Sequence, residues 1–536
     1  MNRGQRPKLQ QREAHVMPPR VSRKHPSGLV PKSDYSARPN NRRLSMRRTA
    51  VAAAVITIAG LIGISAVNWA FAVDPEVPKP WFAPYADVSL KPSHSWEDPR
   101  HNPARDVVLS FIVADHASPC TPSWGGYFTT AQAATALELD RRIARVRGRG
   151  GDVIVSFGGA RNSELATACT DVGALTNAYR TVIDRYDVVT VDLDIEGSNL
   201  TNVDGRQRRA EALATLQREA RSKKRELAVW LTLAATTGGL PVEGVRMVDA
   251  VLKAGLDLSG VNIMTMNYGP SRSGNQSMLD ATKAALRAGR RQVGDAYKRA
   301  GIRLRDKQVW AKIGATPMIG QNDVPTDLFS LEDATGLASF LRSSGMGRLS
   351  LWSLNRDNRC GPNTDSGQAS DFCSGVEQKP LSFTGLLNQL QGRPASAAKT
   401  RTVPDTSREI VDDPALSPYP IWNNDRSYPE GRKLVWRGQV YASKWWNQHQ
   451  LPDAPVDSEN DTPWRLVGPV LLREKPIPTT TLAPGTYPAW DHGKAYDKGA
   501  RILLDGVGYE AKWWVRGEPP NRDVPNEYDT AWKPLA

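Results

Sequence analysis

Residues 189–199 read VTVDLDIEGSN, so Asp192, Asp194 and Glu196 alternate with Val191, Leu193 and Ile195. A β-strand sends successive side chains to opposite faces, which puts the three acids on one face and the aliphatic residues on the other. A helix would scatter them. The preceding Val188, Val189, Thr190 and Val191 are β-branched and favour extended backbone, and Gly197 releases the strand into a loop. Like charges a few ångströms apart resist joint ionisation, so at least one acid is expected to hold a proton near neutral pH, as a general acid must. A solvated edge strand would tolerate the acids but not the apolar run before them. A calcium loop would interleave Gly, Asn and Asp in a turn.

Seven further strand-like runs accompany this one. They are FAPYADVSL (82–90), VVLSFIVA (107–114), DVIVSFGGA (152–160), LAVWLTLAA (227–235), VNIMTMNYG (261–269), QVWAKIGATPMIG (308–320) and RLSLWSLN (348–355), with VVTVDLDIE (188–196) fourth in order. Amphipathic segments with apolar residues at helical spacing lie between them. Eight strands, each but the last followed by a helical pattern, predict an α/β chain folded as a (β/α)8 TIM barrel over residues 75–393. A doubly wound sheet is the alternative, but no Gly-rich phosphate loop follows the first strand. In a barrel, chemistry sits at the C-terminal ends of the strands, where the acid row lies.

The chain has 536 residues, enough for several domains, and an ordinary 40% hydrophobic content. Its net charge of +14 comes mostly from residues 1–48, where 13 Lys or Arg face only Glu13 and Asp34. The basicity therefore belongs to a tail rich in Pro, Ser, Asn and Arg, expected to be disordered and cytoplasmic, and does not signal nucleic-acid binding. Residues 49–73, TAVAAAVITIAGLIGISAVNWAFAV, carry no charge and at about 37 Å, if helical, would span a bilayer. Ala70-Phe71-Ala72 would suit cleavage of a signal peptide, but the lengths of the span and of the tail favour an anchor. With basic residues only on the N-terminal side, the bulk of the chain is expected outside the cytoplasm, membrane-anchored or secreted. Four cysteines agree with an oxidising compartment. Three pairings are possible, and placement favours Cys120 with Cys169 and Cys360 with Cys373. No Cys-x-x-Cys or His cluster points to metal, and a monomer without metal or cofactor is expected.

Asp-Leu-Asp-Ile-Glu ending strand four, with Ser156-Phe157-Gly158-Gly159 ending strand three, resembles the two signature motifs of glycoside hydrolase family 18, the chitinases and their relatives. Met264-Thr265-Met266-Asn267-Tyr268 on strand six and Trp352 on strand eight extend the resemblance across the central domain. It implies a substrate-assisted retaining mechanism on N-acetylglucosamine polymers such as chitin. Glu196 would protonate the glycosidic oxygen, Asp194 would hold the substrate's N-acetyl group, and Asp192 would share a proton with Asp194. The N-acetyl oxygen would attack the anomeric carbon, so no enzyme nucleophile is needed.

Two positions depart from the family pattern. Its leading Asp is Val189 here, on the opposite strand face, and its strand-six Tyr-Asp is Met266-Asn267. Tyr268, sharing strand parity with Met264, is a candidate for the missing hydroxyl. Trp352 would floor the cleaved sugar, and Gly158 would line the site or simply make a tight turn. Trp124 in SWGGY is a candidate sugar contact or a loop anchor. An inactive chitin-binding lectin and an endo-β-N-acetylglucosaminidase are the alternatives to a chitinase.

Residues 394–417 read as a linker. Beyond them Trp422, Tyr428, Gly431, Tyr441, Lys444, Trp445, Trp446, Pro452, Asp461 and Trp464 recur 68 residues on, from Trp490 to Trp532. Two small all-β units are expected, 418–466 and 486–536, joined by a linker at 467–485. Their spacing resembles carbohydrate-binding module families 5 and 12, which implies that surface aromatics stack on successive sugars. Tyr441, Trp445, Trp446, Tyr509, Trp513 and Trp514 are the candidates. By period 2, only one Trp of each pair is expected to face a ligand.

Overall fold

The computed structural model describes residues 78–362, 364, 367–390, 392–394, 411–472, 474–476, 481–522, 524 and 529–535. All belong to one compact unit, Glu76–Ala536. The basic tail 1–48, the apolar stretch 49–73 and residues 395–410 of the expected linker lie outside them. Among the described residues no helix is long and apolar enough to cross a membrane, and no group of three or more His, Cys, Asp or Glu could hold a metal ion.

Eight parallel strand positions form a closed ring. The first strand is split into Trp81–Phe82, which pairs with the eighth (Arg348–Leu349), and Tyr85–Asp87, which pairs with the second (Val107–Ala114). The third to seventh are Val153–Gly158, Thr190–Ile195, Ala228–Ala234, Leu258–Met264 and Ile313–Thr316, each paired with its neighbour in order. The alternation expected of the fourth strand holds. Val191, Leu193 and Ile195 join the large core between ring and helices, while a second cluster of Trp81, Ala83, Tyr85, Val108, Ile154 and Trp230 fills the ring's interior.

Helices follow the second strand onward, the longest being Val203–Ser222 and Met278–Arg299. The expectation that only the last strand lacks a helix needs correction at both ends. Residues 88–106 after the first strand make turns around the fully buried Trp96, and the short helix Ser382–Leu387 follows the eighth. The run 308–320 is also two elements. Val309, Trp310 and Ala311 end the helix Asp306–Ala311, and the seventh strand starts only at Ile313.

Disulfides join Cys120 to Cys169 and Cys360 to Cys373. The C-terminal repeat is structural as well as sequential. Strands Ser427–Tyr428, Lys433–Trp436, Gln439–Ser443, Asn447–Gln448 and Trp464–Pro469 recur, 68 residues on, as Ala495–Tyr496, Arg501–Leu504, Val507–Ala511, Val515–Arg516 and a strand beginning at Trp532. The pairing recurs too, with Leu434 opposite Tyr441 and Ile502 opposite Tyr509. Both units exceed their expected bounds. The last strand of the first runs past 466 to Pro469, Asp412 caps the Arg437-Gly438 turn, and Leu482 bonds to Gly506 in the second.

Opening the Cys120–Cys169 loop, with a sequence separation of 49, by Cys120→Ser with Cys169→Ser should lower stability by about 4 kcal/mol in chemical denaturation, because the unfolded chain regains its loop entropy. An unchanged midpoint would contradict this.

Candidate active site

Asp192 is fully buried inside the ring. Its Oδ1 accepts hydrogen bonds from Arg348 Nη1 at 2.5 Å and Thr232 Oγ1 at 2.7 Å, and its Oδ2 from Tyr85 Oη at 2.8 Å and Ser156 Oγ at 2.7 Å. Arg348, also fully buried, donates its other arm to Tyr85 Oη at 2.9 Å and its Nε to Ser350 Oγ at 3.1 Å. Its guanidinium lies 5.2, 5.6 and 5.5 Å from the ring centres of Trp81, Tyr85 and Trp230. Four donors saturate the carboxylate, and the guanidinium balances its charge. Among the described residues no hydrogen bond joins Asp192 to Asp194.

Asp194 lies one strand step further out on the same face and is 5% exposed. Its buried Oδ1 has no hydrogen-bond partner among the described residues. Burial, followed by the charges of Glu196 and Asp192, holds its carboxyl well above the usual carboxylate range. Glu196 leaves the strand half-buried, as the residue preceding the short helix Gly197–Thr201. Burial and then the charge of Asp323 push its carboxyl up to about 7.

The rim around these acids is built by close approach. A Cβ on Gly158, whose φ is +104°, would lie 2.0 Å from the Asp194 carbonyl oxygen, and the Gly159 N–H donates to that oxygen at 2.8 Å. Gly158 thus serves by lacking a side chain, which lets the ends of strands three and four meet. Trp352 is half-buried above the interior, stacked on Phe111 with ring centres 5.4 Å apart and edge-on to Tyr85 at 6.1 Å. Met264 is buried where the sixth strand ends.

This chain is similar to chitinases. It is 31% identical over 284 residues to the probable bifunctional chitinase/lysozyme of Escherichia coli (strain K12), which is 52% of this chain and 31% of that protein. It is 30% identical over 284 residues to Endochitinase 11 of Metarhizium anisopliae, 52% of this chain and 53% of that one. The chain thus spans about a third of the length of one of these curated relatives and about half of the other. Among solved structures, the catalytic domain of the hyperthermophilic chitinase from Pyrococcus furiosus superposes with a TM-score of 0.50 at 28% identity, covering 58% of this chain and 95% of that one. No family model matches.

Several expected contacts lie elsewhere. The sixth strand stops at Met264, and Asn267 takes a left-handed φ of 52°, so strand parity no longer governs Tyr268. Its hydroxyl reaches Thr282 Oγ1 at 3.3 Å on the helix Met278–Arg299, and its N–H donates to Asp327. The tyrosine whose hydroxyl meets the acid row is instead Tyr85, on Asp192. Asn267 is exposed and donates Nδ2 to Asp323 at 2.8 Å, on the loop after strand seven, which ties that loop to the end of strand six. Trp124 is fully buried in a strand, Pro122–Trp124, antiparallel to the second, with its Nε1 on Tyr186 Oη at 2.9 Å. It is an anchor, because the indole is spent on the helix Val172–Tyr186 and cannot meet a sugar.

In the C-terminal units Tyr441 is buried in a core with Tyr428, Leu434 and Trp464, which removes it as a surface contact, whereas Tyr509 is half-buried against the matching core around Trp532. Both tryptophans of each pair are exposed, Trp445 and Trp446 at 44% and 50%, Trp513 and Trp514 at 44% and 60%. The strands end at Ser443 and Ala511, so the pairs sit in bends where period 2 does not apply. Lys444 and Lys512 lie 4.7 and 4.9 Å from the ring centres of Trp445 and Trp513.

Glu196 should titrate with a midpoint near 7 in carboxyl-carbon NMR, with Glu196→Gln assigning the signal. Removing the Asp323 charge by Asp323→Asn should lower that midpoint, since a nearby anion favours the protonated acid. An unmoved or raised midpoint would contradict the assignment.

Proposed function

We propose that residues 75–393 are a chitinase domain that hydrolyses β-1,4 bonds between N-acetylglucosamine units with retention of configuration. The observation that carries this reading is Glu196, a half-buried carboxyl raised to about 7 at the end of the fourth strand, beside Asp194, whose carboxyl is held above the usual range and has an unpartnered buried oxygen. Likeness to chitinases along about half of the chain supports it. A general acid with a pKa near the working pH is both protonated when substrate arrives and able to release its proton.

In this mechanism Glu196 gives its proton to the glycosidic oxygen as that bond breaks. The carbonyl oxygen of the substrate's own N-acetyl group attacks the anomeric carbon, forming an oxazolinium ion, and Asp194 Oδ1 accepts the N–H of that group. Glu196 then takes a proton from water, whose oxygen opens the oxazolinium ion, and the acid is regenerated. Asp192 stays paired to Arg348. Trp352 offers an apolar plane for the C–H face of the sugar.

The two C-terminal units would hold the polymer through Trp445, Trp446, Trp513 and Trp514. Exposed aromatics in two copies on one chain give avidity for a repeating ligand. Two disulfides support an extracytoplasmic site of action.

Glu196→Gln should cut turnover of a chitin hexamer by about 10³-fold while leaving binding to insoluble chitin intact. Near-normal hydrolysis by the variant would refute the mechanism. Absence of hydrolysis by the parent protein, with release of a glycoprotein's N-glycan in its place, would move the activity to an endo-β-N-acetylglucosaminidase.

A further inference from the structure

The first C-terminal unit is bound to the barrel through charged groups taken out of water. Helix Leu139–Gly148, which follows the second barrel strand, presents Glu138 at its start and Arg141 and Arg145 along one side. Glu138 and Arg141 are only 7% and 3% exposed. Glu138 Oε1 accepts from Tyr419 Oη and Lys433 Nζ, and its Oε2 from Arg141 Nε at 3.1 Å. Arg141 donates to the Pro469 carbonyl at 2.6 Å and grips Glu474 with both arms, at 3.0 and 2.6 Å. Arg145 donates to the Leu466 carbonyl at 2.7 Å while its other arm holds Asp98. A further tie joins Glu459 to His101 at 3.1 Å.

Three features distinguish this from a casual touch between tethered domains. Glu138 and Arg141 pair across the boundary and are shielded, the arrangement in which removing one partner strands the other. Burial opposes ionisation of Glu138, yet the bonds from Lys433 and Tyr419 hold its carboxyl below the usual range. Backbones also approach closely, since a Cβ on Gly468, with φ +152°, would lie 2.9 Å from the Arg141 carbonyl oxygen.

The second unit offers a control within the same chain. One repeat on, Tyr419 and Lys433 become Tyr487 and Arg501, and Gly468 becomes Ala536. Arg501 pairs with Glu510 of its own unit at 2.8 Å, whereas Lys433 pairs with a barrel carboxylate.

We propose that residues 411–476 are a docked part of the barrel, received by the helix Leu139–Gly148, and that the second unit lacks this docking. The duplicated units then do different work. Trp445 and Trp446 form a fixed extension of the barrel's surface, and Trp513 and Trp514 do not.

The test uses the full chain with a site-specific protease sequence inserted between residues 395 and 410. After cleavage, the C-terminal fragment should co-elute with the barrel in gel filtration at physiological ionic strength. Glu138→Lys with Arg141→Glu should separate the fragments, and so should Gly468→Leu from the other side, with near-UV circular dichroism showing both parts still folded. Arg501→Glu should leave co-elution unchanged. Separation in the parent protein, co-elution in both disrupting variants, or separation by Arg501→Glu would each overturn the proposal.

Discussion

A single buried ion pair organises the centre of the ring. Arg348 from the eighth strand and Asp192 from the fourth meet at 2.5 Å where neither side chain reaches water. Such a pair is tolerable only if every remaining donor and acceptor finds a partner, and stranding one member costs about 3–5 kcal/mol. The neighbours supply most of these partners: Tyr85, Ser156 and Thr232 donate to Asp192, while Tyr85 and Ser350 accept from Arg348. Strands one, three, four, five and eight are thereby held in one register from the inside. Trp81, Tyr85 and Trp230 close round the guanidinium, so the interior is a shell of aromatics about a polar knot.

The chemistry proposed at the rim depends on that knot. With the Asp192 oxygens taken up by Arg348, Thr232, Tyr85 and Ser156, the next acid on the same face has an unpartnered buried oxygen, and burial beside Glu196 and Asp192 holds the Asp194 carboxyl above the usual range. Glu196, one step further out, answers to burial and to Asp323. The three acids that look alike in sequence thus occupy a graded series of environments. Strand six contributes in an unexpected way. Its end turns through Asn267, which secures the loop bearing Asp323, so the residue that departs from the family pattern acts on Glu196 through a neighbour's charge.

Much of this was legible in the chain, and the limits have physical causes. The acid row was readable because strand parity is local and a run of β-branched residues announces it. The repeat was readable because ten identities share one spacing, and each strand of the second unit starts where that spacing puts it. Arg348 and Tyr85 escaped notice because the groups that define Asp192 lie 156 and 107 residues away. A tyrosine and an arginine inside predicted barrel strands were the only available signal. Tyr268 and the tryptophan pairs were misjudged for one reason, since parity was extended past the point where each strand stops. Trp124 illustrates a different limit. A Trp beside two glycines reads as an exposed loop, but the antiparallel pairing that buries it is a tertiary fact.

The charged contacts between helix Leu139–Gly148 and the first C-terminal unit follow the same logic as the central pair, in that buried charge is paired and fully bonded. Between them they make the ring and one appended unit a continuous body around the acid row. The chemical role given to that row is tested most directly by the anomeric form of the product. Proton NMR should follow a chitin oligomer from the first seconds of hydrolysis, before mutarotation mixes the anomers. Attack by the substrate's own N-acetyl group requires the β-anomer to appear first. Initial release of the α-anomer would contradict it, because that outcome needs direct displacement by water and a second, separated carboxylate.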